Sequence, residues 1–181
     1  MPREVIATRL YEMAEGQDGY FSAAQAAEEG ISATTLGKAV RRGTLTRTSR
    51  GVYRLTRFPT VSANAHLWEA VLWPQVRAKV FGTLTHYTAL QLHNLSDANP
   101  PTTHITVPRN LRINRDPPQW LVVYHADLKP HEVTYVDSLP VTTPQRTLLD
   151  IAALGDEVVL TDAIRDAREH QIALPYELMN A

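Results

Sequence analysis

The chain has 181 residues, 18 Lys+Arg against 19 Asp+Glu for a formal net charge of −1, and 44% hydrophobic residues, enough for a core in one large domain or two small ones. It holds no cysteine, which excludes disulfides, thiolate nucleophiles and thiolate zinc sites. The longest uninterrupted apolar run, Trp120–Tyr124, is far short of the about 20 residues that cross a bilayer, and the start of the chain lacks a signal core, so a cytoplasmic protein without membrane contact is expected.

The near-neutral total hides an asymmetry. Residues 1–57 carry 9 Lys+Arg and 6 Asp+Glu, whereas residues 58–181 carry 9 and 13, so a segment at +3 precedes one at −4.

Pro2 suits a helix start, and Val5, Ile6, Leu10 and Met13 give a helical period that ends near Gly16. Gly16-Gln-Asp-Gly19 reads as a turn, and Tyr20-Phe21 as a short strand or a hydrophobic staple. Ser22 with Gln25 three residues on forms a capping box for a helix over 23–29, which Gly30 ends. Ile31 plugs the turn, and Ser32 caps a second helix that runs to Arg42 and stops at Gly43. At about 100° per residue, Ala33, Leu36 and Val40 share one side of it, whereas Thr34, Thr35, Lys38, Arg41 and Arg42 fill the opposite arc.

Leu45–Ser49 and Val52–Leu55 are strand-like runs around Arg50-Gly51, so a hairpin follows, with Leu45 and Val52 facing the core. From Ile31 to Phe58 the charges are Lys38, Arg41, Arg42, Arg47, Arg50, Arg54 and Arg57, with no Asp or Glu. Cations without counter-charges suit a phosphate backbone. Helix, turn, helix and basic hairpin make a winged helix-turn-helix. Ser32, Thr34 and Thr35 approach base edges in a major groove, while Lys38, Arg41 and Arg42 reach bases or phosphates. Ser49 and Arg50 form the wing tip, Arg50 entering a minor groove, with Arg47 and Arg54 on the backbone and Tyr53 either a contact or a packing residue.

Phe58-Pro59-Thr60 marks a junction. A helix is expected over 63–79, kinked or broken at Pro74, and another over 85–92. The period then turns strand-like at 104–107, 120–125, 133–136 and 139–141. Thr142 or Thr143 caps a helix with Pro144 in its first turn and Leu148, Leu149, Ile151 and Ala152 inward, and a last helix spans about 158–170 with Ala163, Ile164 and Ala167 inward. The expected class is α+β: a winged helix-turn-helix over 1–58, then a mixed α/β domain over 59–181 with a small sheet flanked by helices.

Gly19-Tyr20-Phe21-Ser22-Ala23-Ala24-Gln25-Ala26-Ala27, Gly30-Ile31-Ser32, Leu36, Arg42-Gly43-Thr44-Leu45 and Arg50-Gly51-Val52-Tyr53 resemble the N-terminal winged helix-turn-helix of AbiEi-type antitoxins. Thr142-Thr143-Pro144-Gln145-Arg146-Thr147-Leu148-Leu149-Asp150 resembles a motif from the second domain of that family. The resemblance implies a bacterial regulator that binds inverted repeats in its own promoter and represses its operon. It also implies a C-terminal domain that counters a nucleotidyltransferase-like toxin encoded beside it. The resemblance implies that Ser32, Thr34, Lys38, Arg41 and Arg42 belong to the recognition helix and Arg47, Ser49, Arg50 and Tyr53 to the wing.

Other readings stay open. The basic helix could instead serve an antitoxin that acts only through protein contact. Arg109, Arg112 and Arg115 recur between two predicted strands as a solvated loop, a partner surface or a second nucleic-acid contact. Asp116, Asp127 and Lys129 have the Asp…Asp-x-Lys order of metal-dependent nucleases, although the flanking prolines place them in loops. His86 and His93 lie seven apart without a third ligand, so neither metal nor other cofactor is expected. Arg146 and Asp150, four apart, read as a local ion pair.

Overall fold

The computed structural model describes residues 3–60, 62–75, 80–97 and 101–179. The chain divides into two compact units, residues 1–82 and 83–181.

The first unit opens with α1 (Arg3–Glu15), β1 (Tyr20–Ser22), α2 (Ala23–Glu28) and α3 (Ala33–Arg41), followed by β2 (Leu45–Ser49) and β3 (Val52–Leu55). β1, β3 and β2 form an antiparallel sheet in that order. The expected capping box is formed: the Gln25 amide donates to Ser22 Oγ at 3.0 Å and the Ser22 amide to Gln25 Oε1 at 2.8 Å. Gly30 and Gly43 end the two helices with φ of 72° and 73°, the left-handed conformation glycine takes without strain. Leu10, Ala14, Phe21, Ile31, Leu36 and Leu45 are buried together. Leu45 and Val52 point inward as the alternation predicts. Tyr20-Phe21 is a true strand, which makes the wing three-stranded.

The helix expected over 63–79 is much shorter. A 3-10 turn at Ala65–Leu67 runs into α4 (Trp68–Leu72), because Pro74 has no N–H to continue the ladder. Val76 and Lys79, at the far end of that expectation, lie outside the described residues, as does Pro2. α4 packs on β1, and the Ser22 hydroxyl donates to Gln75 Oε1 in a buried bond. The first compact unit therefore runs on to Gly82, past the junction read at residue 58.

The second unit carries a five-stranded mixed sheet in the order β6-β5-β4-β8-β7. Its strands are β4 (Thr83–Leu84), β5 (Thr103–Val107), β6 (Leu121–His125), β7 (Val133–Val136) and β8 (Leu139–Thr142), and its helices are α5 (His86–Leu92), α6 (Pro144–Leu154) and α7 (Glu157–Glu169). β4 runs antiparallel to β5 and parallel to β8. Thr143 caps α6 and Asp156 caps α7. Leu90, Leu148, Ile151, Ala163 and Ala167 fill the space between the three helices.

Candidate nucleic-acid interface

Because α3 buries Leu36 and leans Ala39 and Val40 on the core, its outward side is fixed. Thr34, Lys38 and Arg41 form an exposed stripe at spacings of four and three, the spacing of one helix face. Thr35 and Arg42 sit beside it, turned toward a groove that α3 shares with α1 and the hairpin. At the head of the helix, Ser32 Oγ accepts the Thr35 amide at 3.2 Å and hydrogen-bonds the Thr35 hydroxyl at 3.0 Å. Ser32 and Thr35 thus hold the helix N-terminus in shape.

β2 has a bulge between Arg47 and Ser49, which re-aims the strand before the tip. Arg47 and Arg50 are exposed, and Gly51 at φ 86° closes the turn. Arg47 Nε donates weakly to the Ser49 carbonyl at 3.4 Å. Two residues assigned to the wing as contacts are placed otherwise. Tyr53 is 8% exposed and stacks on Phe21 with ring centroids 5.8 Å apart, so it anchors the wing to the core. Arg54 Nη2 donates to the Phe58 carbonyl and the Thr60 hydroxyl, both at 3.2 Å, and its guanidinium lies over the Tyr20 ring. Arg54 braces the end of the sheet.

Residues 9–56 match the model of a family described as a transcriptional regulator, AbiEi antitoxin. The N-terminal segment is similar to that family. The match covers α1 from Arg9 through the wing and stops there, so residues 57–181 lie outside it. No curated protein matches the chain. The element order of the matched segment is that of a winged helix-turn-helix, and no helix among the described residues is long and apolar enough to cross a membrane.

In the second unit, Arg109 and Arg112 are exposed on the loop after β5 and Arg115 is half-buried. Asp127 Oδ1 accepts the Arg109 amide at 3.1 Å, which ties that loop to the strand end opposite. Asp116, Asp127 and Lys129 stand in loops rather than on paired strands, and the described residues contain no cluster of three or more His, Cys, Asp or Glu suited to a metal.

A polar cluster that sequence spacing missed lies around α5. His86 stacks on Tyr124 with centroids 3.7 Å apart, and Tyr124 Oη hydrogen-bonds His104 Nδ1 at 3.2 Å. His86 has φ 52°, a left-handed backbone that costs a non-glycine residue of order 1 kcal/mol. Burial holds its imidazole well below the ordinary value, down to about 4, with the neighbouring His104 and Arg146 charges adding to the effect. Burial also lowers His93 and His104. Below them Arg146 bridges Asp150 at 2.8 Å and Glu132 at 3.0 Å. Asp150 Oδ2 is buried and meets no donor, and burial raises that carboxyl despite the Arg146 charge. Three of these residues come from β5, β6 and the start of α5, so no short spacing could have announced them.

Proposed function

We propose that the protein is a DNA-binding autorepressor that also acts as an antitoxin. The observation that carries this reading is the exposed Thr34, Lys38 and Arg41 stripe on a doubly capped helix, beside a wing that presents Arg47 and Arg50. Such a helix enters a major groove with its first turns over base edges, and the wing follows the adjacent backbone or minor groove. Ser32, Thr35, Ser49 and Arg42 flank the contact, and the absence of any acid between Ile31 and Phe58 keeps the surface attractive to phosphate. The DNA is duplex with inverted repeats in the gene's own promoter. Residues 59–181, which include the Arg109 and Arg112 loop, carry the antitoxin role against a nucleotidyltransferase-like toxin from the same operon, without catalysis of their own.

A fluorescence-anisotropy titration on DNA from immediately upstream of the gene, across a salt series, tests this. The expected result is sequence-specific binding that weakens steeply with salt. In Arg41→Ala/Arg50→Ala, binding falls and the salt slope flattens by about two counterions. Equal, sequence-indifferent binding by both proteins overturns the repressor reading and favours an antitoxin that works only through protein contact.

A further inference from the structure

The flank of α3 beside the exposed stripe, which shares Lys38 with it, borders a groove of about 350 Å³ between α1, α3 and the base of the hairpin. This volume lies at the lower end of the range of small-molecule sites, about 300–1,000 Å³. Leu10, Ala39, Leu45 and Leu55 give it an apolar floor, and Lys38 and Arg42 stand at its rim with no carboxylate among the lining residues. The wall is firm. The Ala39 carbonyl accepts both the Thr44 amide at 3.1 Å and the Thr44 hydroxyl at 3.0 Å, which pins the helix end to the start of the wing.

An apolar floor under two cations fits one chemistry, a small amphipathic acid whose hydrocarbon part leaves water while its carboxylate meets Lys38 and Arg42. We infer that this groove is an effector site for an apolar monocarboxylic acid, and that its occupancy excludes DNA. The exclusion follows from shared groups. Lys38 and Arg42 cannot both neutralise a bound carboxylate and serve a phosphate backbone, so each ligand weakens the other by the same factor. The coupling rests on the DNA-binding reading above, whereas the site itself does not.

Isothermal titration of the full chain with octanoate, without DNA, reads the site directly, with 1-octanol as the uncharged control. Saturable octanoate binding that octanol does not match is expected. Arg42→Gln weakens it, and Ala39→Leu, which fills the floor, abolishes it. No saturable heat with octanoate, equal binding of octanol, or unchanged binding by Arg42→Gln overturns the site. Anisotropy with promoter DNA then reads the coupling. At octanoate ten times its own dissociation constant, wild-type affinity for DNA should fall about tenfold. Ala39→Leu, checked for folding by thermal melting, should bind DNA as wild type does and ignore octanoate. Octanoate that binds the protein but leaves the DNA isotherm unmoved overturns the exclusion, while failure of DNA binding with intact octanoate heats strikes the repressor reading and leaves the site standing.

Discussion

His86 concentrates two costs in one residue, a left-handed backbone and an imidazole buried against Tyr124 and His104. Because its value in the folded state, about 4, lies below the ordinary 6.5, the unfolded chain binds more protons throughout that interval. Stability therefore rises with pH there. Its contribution is fully present above about pH 6.5 and is lost as the pH falls toward 4, a shift that corresponds to about 3 kcal/mol. His93 and His104 move in the same direction, whereas the raised Asp150 opposes them. Thermal melts from pH 7.5 to 4.5 should show a midpoint that drops on the acid side. His86→Asn, whose side chain tolerates the same backbone, should flatten that drop, and an unchanged slope would remove His86 as its source.

Elements are joined in both units by buried polar groups, and those joints set the largest stability effects. Ser22 caps α2 and also reaches Gln75 beyond α4, so Ser22→Ala loses a cap worth about 1 kcal/mol and strips the donor from a buried acceptor at about 1–3 kcal/mol. Urea unfolding should show a loss of about 2–4 kcal/mol, against about 1 if only the cap mattered. Arg146 binds α6 to Glu132 just ahead of β7 while covering Asp150, which is nine-tenths buried. Arg146→Met leaves that carboxylate uncompensated, and a loss of about 3–5 kcal/mol near neutral pH is expected. The loss should shrink in Arg146→Met/Asp150→Leu, where the more deeply buried of the two carboxylates is gone and only Glu132 is left without its partner, and a double mutant as unstable as the single would refute this. Much of this scale was legible in the chain. Ser22-x-x-Gln25, Ser32, Thr143 and the glycines at 30, 43 and 51 act locally, so their sequence signals bound α2, α3, α6 and the wing closely. Long-range pairing is what the sequence hid. β4 is two residues long and exists because β5 and β8 flank it, and the choice between contact and packing for Tyr53 is made by Phe21 on a neighbouring strand. At the candidate interface the cationic arc was visible, but its division into a stripe of Thr34, Lys38 and Arg41 and a groove rim of Lys38 and Arg42 depends on where α1 packs.

At the scale of the whole molecule, charge and contact organisation point to divided labour. The cationic stretch from Ile31 to Phe58 lies wholly within the first unit, and the proposed function gives toxin neutralisation to residues 59–181. If the two tasks use different surfaces, each can be removed without the other. Arg41, Arg50, Arg109 and Arg112 are the right probes, because all four are exposed and surface changes of this kind stay within about 0.5 kcal/mol. Under the proposed function, Arg41→Ala/Arg50→Ala should release the promoter in a reporter assay and still rescue growth when the toxin of that proposal is expressed from a separate, inducible promoter. Arg109→Ala/Arg112→Ala should keep the promoter silent and weaken the rescue. Loss of rescue in the first variant at unchanged protein level would mean that neutralisation works through repression of the operon or through the basic helix itself. Full rescue in the second would strike the Arg109 loop from the antitoxin surface and turn attention to the exposed side of α7, where Val158 is 75% exposed beside a shallow depression lined by Leu160, Ile164 and Arg168.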